Sequence, residues 1–276
     1  MLWLFIVAAC MSKVWGNPVD NHMTSEIQND EGYINLQGRT YPHVSRNSET
    51  LMELQGDYAV QEGDLLLPSD RNAVSSLWPE VDGNVSIPFK INAELADRTV
   101  DILKALKMIS NKTCIRFHQH TNETDYLLFS YSDGCASYVG CMGGEQPVLV
   151  GPPCGAGNIG HEILHSLGLH HEHSRHDRGD HITILYENIS PGKASNFAEK
   201  DGDTLGLQYD LGSLLHYGAY YFSSNGKPTI VSKSSKVQIG QRTRMSDLDV
   251  KKIRKLYHCD KREKKGKRGG DSSNLP

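Results

Sequence analysis

The chain has 276 residues, enough for one large domain or two small ones with a sizeable buried core. Its formal net charge is −4 and its basic residues are scattered until the last few turns, which argues against a nucleic-acid partner and names no other.

The chain opens on MLWLFIVAACMSKVWG, whose apolar run from Leu2 to Cys10 is too short to cross a bilayer as a helix. Val14 and Gly16 stand at the −3 and −1 positions of a signal-peptidase site before Asn17. Residues 1–16 therefore read as a secretory signal peptide, with a buried N-terminal helix as the alternative. No other run is long enough to span a membrane, and four acceptor triplets for N-linked glycans, at Asn84, Asn111, Asn122 and Asn188, agree with a secreted, extracellular protein. Residues 17–71 are polar, acidic and without periodic apolar pattern, and they end in EGDLLLPSDRNA, where a Pro and a lone Arg fall in an expected exposed turn. The stretch reads as a pro-segment processed between Arg71 and Asn72, or as a flexible linker.

From Val85 the texture becomes globular. VSIPFKI is a predicted strand. Val100, Leu103, Leu106 and Ile109, at three-residue spacing, predict an amphipathic helix from Leu95 to Ile109 with those residues on one face. CIRFHQH and DYLLFSY are predicted strands, as is the segment around SYVG and PVLVG. Residues 158–170 are predicted helical. Ser246 to Asp249 resembles a capping box opening a last helix with Leu248, Ile253 and Leu256 inward. Residues 261–276 are a basic, Gly-rich tail; its run KREKKGKR reads as a solvated end, with heparin or acidic-surface binding as an accessory reading. Strands and one helix come first, then a histidine-rich segment, then an irregular half: an α+β domain divided in two by the histidines.

Of the six cysteines, Cys10 leaves with the signal peptide. Cys114, Cys135, Cys141, Cys154 and Cys259 remain. In an oxidising compartment this odd number means two bridges and a leftover thiol, or an intermolecular bond.

The chemistry concentrates in HEILHSLGLHHEHSRHDR, residues 161–178, which hold six of the thirteen histidines. His161 and His165 are four apart on a predicted helix, so both rings share a face and can reach one zinc ion at ~2.0–2.1 Å. Gly168 can take φ > 0, end the helix and turn the chain so that His171 returns to the metal. Three protein ligands leave a fourth position open, the arrangement of a catalytic rather than a structural zinc site. Glu162, next to His161, is placed to take a proton from an attacking water without joining the ligands, which implies amide hydrolysis without a covalent intermediate. His170, His173, His176 and His181 read as packing or surface residues.

This stretch, through Glu172, His173, Arg175, Asp177 and Arg178, resembles the extended zinc signature of the astacin family of metalloendopeptidases, within the metzincins. DGCASYVG, YDLGSLLHYG and IGQRTRMSDLDVKKIRKLYHC also have family counterparts, so the resemblance covers Asn72 to Cys259. The short, hatching-enzyme-like members of fishes are the most similar in organisation. The resemblance implies a two-subdomain protease domain over residues 72–260, with a mixed sheet and active-site helix, an irregular C-terminal half, and a cleft between them. It implies one Zn2+ per chain on His161, His165 and His171, with Glu162 as general base. It implies that Tyr217, in SLLHY at 213–217, is a movable zinc ligand whose hydroxyl stabilises the oxyanion. The family's Met-turn methionine is replaced by Leu215, an apolar residue of similar volume. Cys114–Cys259 and Cys135–Cys154 are the implied bridges, leaving Cys141 without a partner. Glu172 is the implied partner of the new N-terminal amine of Asn72.

Latency in the family uses an aspartate in a Phe-x-Gly-Asp stretch. Here Gln55-Gly56-Asp57 and Glu62-Gly63-Asp64 are the candidates, neither with the Phe, and Asp64 is preferred because it lies just upstream of Arg71. The implied protein is a secreted, monomeric zinc endopeptidase made as a zymogen. A trypsin-like protease activates it, and its substrates are extracellular proteins or peptides, of the egg envelope or matrix, whose extended backbone pairs with the strand around Ser137–Gly140. No nucleic acid and no membrane span is implied. A zinc-stabilised binding protein without turnover is the other reading, and retention of every ligand and the base weighs against it.

Overall fold

A computed structural model describes residues 33–34, 40–41, 49–51, 54–55, 58–68, 76–80, 85–234 and 237–260. The readings of the signal peptide, Asp57, Arg71, Asn72, Asn84 and the basic tail lie outside the described residues. The chain divides into two compact units, residues 1–44 and 45–276. In the first, β1 (Tyr33–Ile34) and β2 (Thr40–Tyr41) form a short antiparallel pair.

The second unit carries everything else. Three short strands, β3 (Leu54–Gln55), β4 (Tyr58–Gln61) and β5 (Leu65–Leu67), form an antiparallel meander. β6 (Val85–Ile91) is the expected VSIPFKI strand, with Val85, Ile87 and Phe89 buried. After it come α1 (Thr99–Ser110), β7 (Ile115–Gln119), β8 (Tyr126–Tyr131), β9 (Ala136–Ser137) and β10 (Glu145–Val150). α2 (Ala156–Ser166) leads into an irregular half with short 3-10 turns, the antiparallel pair β11 (Ile182–Ile184) and β12 (Ile230–Ser232), and finally α3 (Asp247–Leu256). The eight-stranded sheet runs β3-β4-β5-β9-β10-β8-β6-β7. β7, β6, β8 and β10 are mutually parallel and β9 is antiparallel to β10, so the sheet is mixed, as expected of an α+β astacin-like domain.

Two sequence expectations need correction. α1 starts at Thr99, after a 3-10 segment at Ala93–Arg98, and buries Ile102, Ala105, Leu106 and Ile109, whereas Val100 and Leu103 are 62% and 44% exposed. A strict three-residue spacing drifts around a helix: at about 100° per residue, nine residues put Val100 about half a turn from Ile109. In α3 the capping box forms, with Ser246 Oγ accepting from Asp249 N–H (2.9 Å) and Asp249 Oδ2 from Ser246 N–H (2.9 Å). There Ile253 is buried and Leu256 packs against the core, but Leu248 is only half-buried and Asp249 is fully buried instead.

One apolar core joins the sheet to all three helices through Ile87, Phe129, Val148, Ile109, Ile163 and Ile253. A second lies in the C-terminal half around Phe197, Tyr217, Tyr221, Phe222 and Ile230. A third joins Leu51, Val60 and Leu66 to Ala136 and Leu149, packing the β3–β5 meander against β9 and β10. Cys114 is joined to Cys259 and Cys135 to Cys154, and Cys141 is buried and free. The first bridge ties the start of β7 to the residues after α3. No helix among the described residues is long and apolar enough to cross a membrane.

Candidate active site and metal centre

Helix α2 carries His161 and His165 on one face, one turn apart, both buried. The helix ends in a Schellman turn: Gly168 N–H donates to His165 O (2.7 Å) and Leu169 N–H to Leu164 O (3.2 Å), with Gly168 at φ +100°. An L side chain is strained there, so glycine lets the chain reverse and bring His171 back beside the helix. The Nε2 atoms of His161, His165 and His171 lie 2.9, 3.2 and 3.3 Å apart in pairs.

The proton positions follow from the other side of each ring. His161 Nδ1 faces Leu214 O and His165 Nδ1 faces Leu169 O, both at 2.7 Å; a carbonyl oxygen only accepts, so each Nδ1 is the donor. His171 Nδ1 faces the Glu62 carboxylate at 2.6 Å, with the same consequence. In the neutral rings, three Nε2 lone pairs therefore converge in a buried centre, and they repel one another unless a cation sits among them.

Asp64 is the fourth member. Its Oδ2 lies 3.2 Å from His161 Nε2 and 3.1 Å from His171 Nε2, and one donor atom from each of the four residues falls within 4.8 Å of the others. Burial would raise the Asp64 carboxyl, but the facing His171 and His161 rings outweigh it and hold it well below the usual range. Burial would likewise lower His171, yet Asp64 and Glu62 raise it to about 9, so the centre attracts positive charge. Asp64 Oδ1 and Glu162 Oε2 are buried with no hydrogen-bond partner among the described residues. Three imidazole nitrogens with an unsatisfied carboxylate are a donor set that fits Zn2+. Burial, then the charges of Asp64 and Glu49, push the Glu162 carboxyl well above its ordinary value.

The turn Glu62–Asp64, between β4 and β5, delivers Asp64. Glu62 sits at φ +55° and Gly63 at φ +78°, and a Cβ on Gly63 would meet the Phe222 ring at 2.8 Å. Ser137 N–H donates to Asp64 O (2.9 Å), and Leu65 pairs with Ser137 in parallel register. The edge of β9, expected from the sequence to take substrate, is thus covered by β5. Tyr217 is fully buried; its hydroxyl donates to Glu62 O, and its ring stacks on His173 at 3.7 Å and meets His171 edge-on at 4.7 Å.

Glu172 is buried. It accepts from Asp210 N–H (2.7 Å) and Arg175 (3.2 Å) and pairs with Lys252; Asn72 lies outside the described residues. Leu215 is fully buried, and its carbonyl accepts from Glu172 N–H at 3.0 Å. Asn111 and Asn122 are exposed. Asn188 is only 7% exposed, with its amide donating to Pro228 O at 2.7 Å.

Sequence reasoning missed the partners of three acids, Glu62, Asp249 and Glu49. Glu62 binds His171 and Lys200. Asp249 accepts from Ser213 Oγ (2.6 Å) and Leu214 N–H (2.8 Å), fixing the carbonyl that receives His161 Nδ1. Glu49 pairs with Arg242 at 2.8 Å. The only local signal for any of them was the Asp-containing capping box at Ser246.

Comparison with known proteins fits this geometry. Residues 71–258 match the family model described as Astacin, a peptidase family. The chain is 40% identical over 211 residues to the Low choriolytic enzyme of Oryzias latipes, covering 72% of this chain and 78% of that protein. It is 35% identical over 259 residues to Zinc metalloproteinase nas-14 of Caenorhabditis elegans, covering 88% of this chain but only 50% of that protein. The solved structure of High choriolytic enzyme 1, a hatching enzyme zinc-protease from Oryzias latipes, superposes with a TM-score of 0.64 at 36% identity, over 68% of this chain and 100% of that one. With the fold, the histidine centre and these matches in agreement, the chain belongs to the astacin family of zinc metalloendopeptidases.

Proposed function

We propose that this chain is a secreted endopeptidase made as a zymogen, in which residues 17–71 hold the site closed until a trypsin-like protease cuts between Arg71 and Asn72. The observation that carries this reading is the convergence of Asp64 with the three Nε2 atoms in one buried centre. Secretion is supported by the leader-like N-terminus and by two disulfides, which persist in oxidising compartments. Substrates are extracellular proteins or peptides. An egg-envelope substrate is suggested by the choriolytic and hatching-enzyme relatives.

His161, His165 and His171 hold the zinc ion, which supplies Lewis-acid polarisation of the peptide carbonyl. Glu162 acts as general base: its carboxylate takes a proton from the attacking water and passes it to the leaving amine. With the pro-segment gone, the free edge of β9 aligns the substrate backbone as an added strand. Tyr217, released from Glu62 O, donates its hydroxyl to the developing oxyanion. Glu172, buried beside Arg175 and Lys252, receives the amine of Asn72 after processing.

The test is kinetic. After cleavage following Arg71, the enzyme hydrolyses a quenched peptide, and Tyr217→Phe lowers kcat by roughly 10²-fold with little change in KM. An enzyme still silent after the cut contradicts the zymogen reading; an unchanged kcat in Tyr217→Phe returns that residue to the core.

A further inference from the structure

The three ligand histidines are oriented by different parts of the chain. His161 Nδ1 is held by Leu214 O, and His165 Nδ1 by Leu169 O, at 2.7 Å each. Both acceptors belong to residues that stay after processing. The Nδ1 partner of His171 is the Glu62 carboxylate at 2.6 Å, from the segment upstream of Arg71. Glu62 is itself pinned: it is 1% exposed, its other oxygen pairs with Lys200, and its carbonyl takes the Tyr217 hydroxyl. Its backbone sits at φ +55°, a conformation that costs a non-glycine residue energy and persists where surrounding contacts impose it.

We infer that Glu62 is a positioning residue for His171, so that the pro-segment supplies part of the metal site's outer shell and the precursor holds zinc more tightly than the processed enzyme. This rests on the zymogen reading above and goes beyond the blocking role of Asp64. A carboxylate behind a ligand imidazole fixes the ring, selects the Nδ1–H tautomer and raises the basicity of Nε2; loss of such a partner costs about 10–100-fold in metal affinity. Lys200, paired with the other Glu62 oxygen, holds the carboxylate aimed at the ring.

The test measures zinc affinity by chelator competition in four uncut precursors: wild type, Glu62→Gln, Asp64→Ala, and the double variant. Asp64→Ala removes the fourth donor, so comparing the double variant with it isolates Glu62 from any displacement of Asp64. The expected result is about 10–100-fold weaker zinc on adding Glu62→Gln in either background. The strongly downfield His171 Nδ1 proton resonance should be present in wild type and Asp64→Ala and absent with Glu62→Gln, a signature that a merely structural role would not produce. Unchanged zinc affinity on adding Glu62→Gln to Asp64→Ala, or persistence of the resonance, overturns the inference. Peptidase activity gained on cleavage after Arg71 separates the two readings. Activity gained on cleavage with unchanged zinc affinity in the double variant rejects only the Glu62 role, whereas a wild-type chain still silent after the cut removes the zymogen reading and this inference with it.

Discussion

Glu162→Gln, in the processed enzyme, should still bind one zinc per chain and lose roughly 10²–10⁴-fold in turnover, the range for removing a positioned general base. The side chain is 2% exposed, one carboxylate oxygen has no partner among the described residues, and no ligand atom of Glu162 belongs to the metal-competent group. Gln keeps the shape and removes the proton acceptor. Zinc content by atomic absorption and peptide turnover, measured on one preparation, separate binding from catalysis. Full turnover would reject Glu162 as the base. Loss of zinc together with activity would make it structural.

The second large effect belongs to Asp64. In the uncut precursor, Asp64→Ala should raise peptide hydrolysis from background to a readily measured level, because Oδ2 no longer occupies the space between His161 and His171. Release will be partial. Leu65 still pairs with Ser137, and Leu51, Val60 and Leu66 still pack on Ala136 and Leu149, so the pro-segment continues to cover the β9 edge. Adding Leu66→Ala should increase the leak further, since truncating a buried Leu costs about 2–5 kcal/mol of that packing. A silent Asp64→Ala precursor that becomes active on cleavage would show that coverage of the edge, rather than the carboxylate, enforces latency.

Much of this was legible in the sequence because it is local. The His161–His165 pair, the glycine that returns His171, and the strand at 85–91 are spacing statements, and spacing survives into the fold. The face of α1 was misread because a three-residue period mimics a helix over two turns and then drifts. What composition and spacing could not reveal is pairing across the chain: Glu62 with His171 spans 109 residues, Glu49 with Arg242 spans 193, and Asp249 with Ser213 spans 36. Each is an ordinary acid until the sheet, α2 and α3 bring its partner to it. The burial of Asn188 beside Pro228 is of the same kind, since it depends on a turn formed only in the folded C-terminal half.

The central claim is that one zinc ion sits among His161, His165 and His171 with Asp64 as its fourth protein ligand in the uncut chain. Anomalous diffraction at the zinc edge from crystals of the precursor tests it most directly. The expected result is one strong peak, about 2.0–2.2 Å from the three Nε2 atoms and from an Asp64 oxygen. No peak at that position in zinc-replete crystals, or a peak held by the histidines with Asp64 turned away, would contradict it.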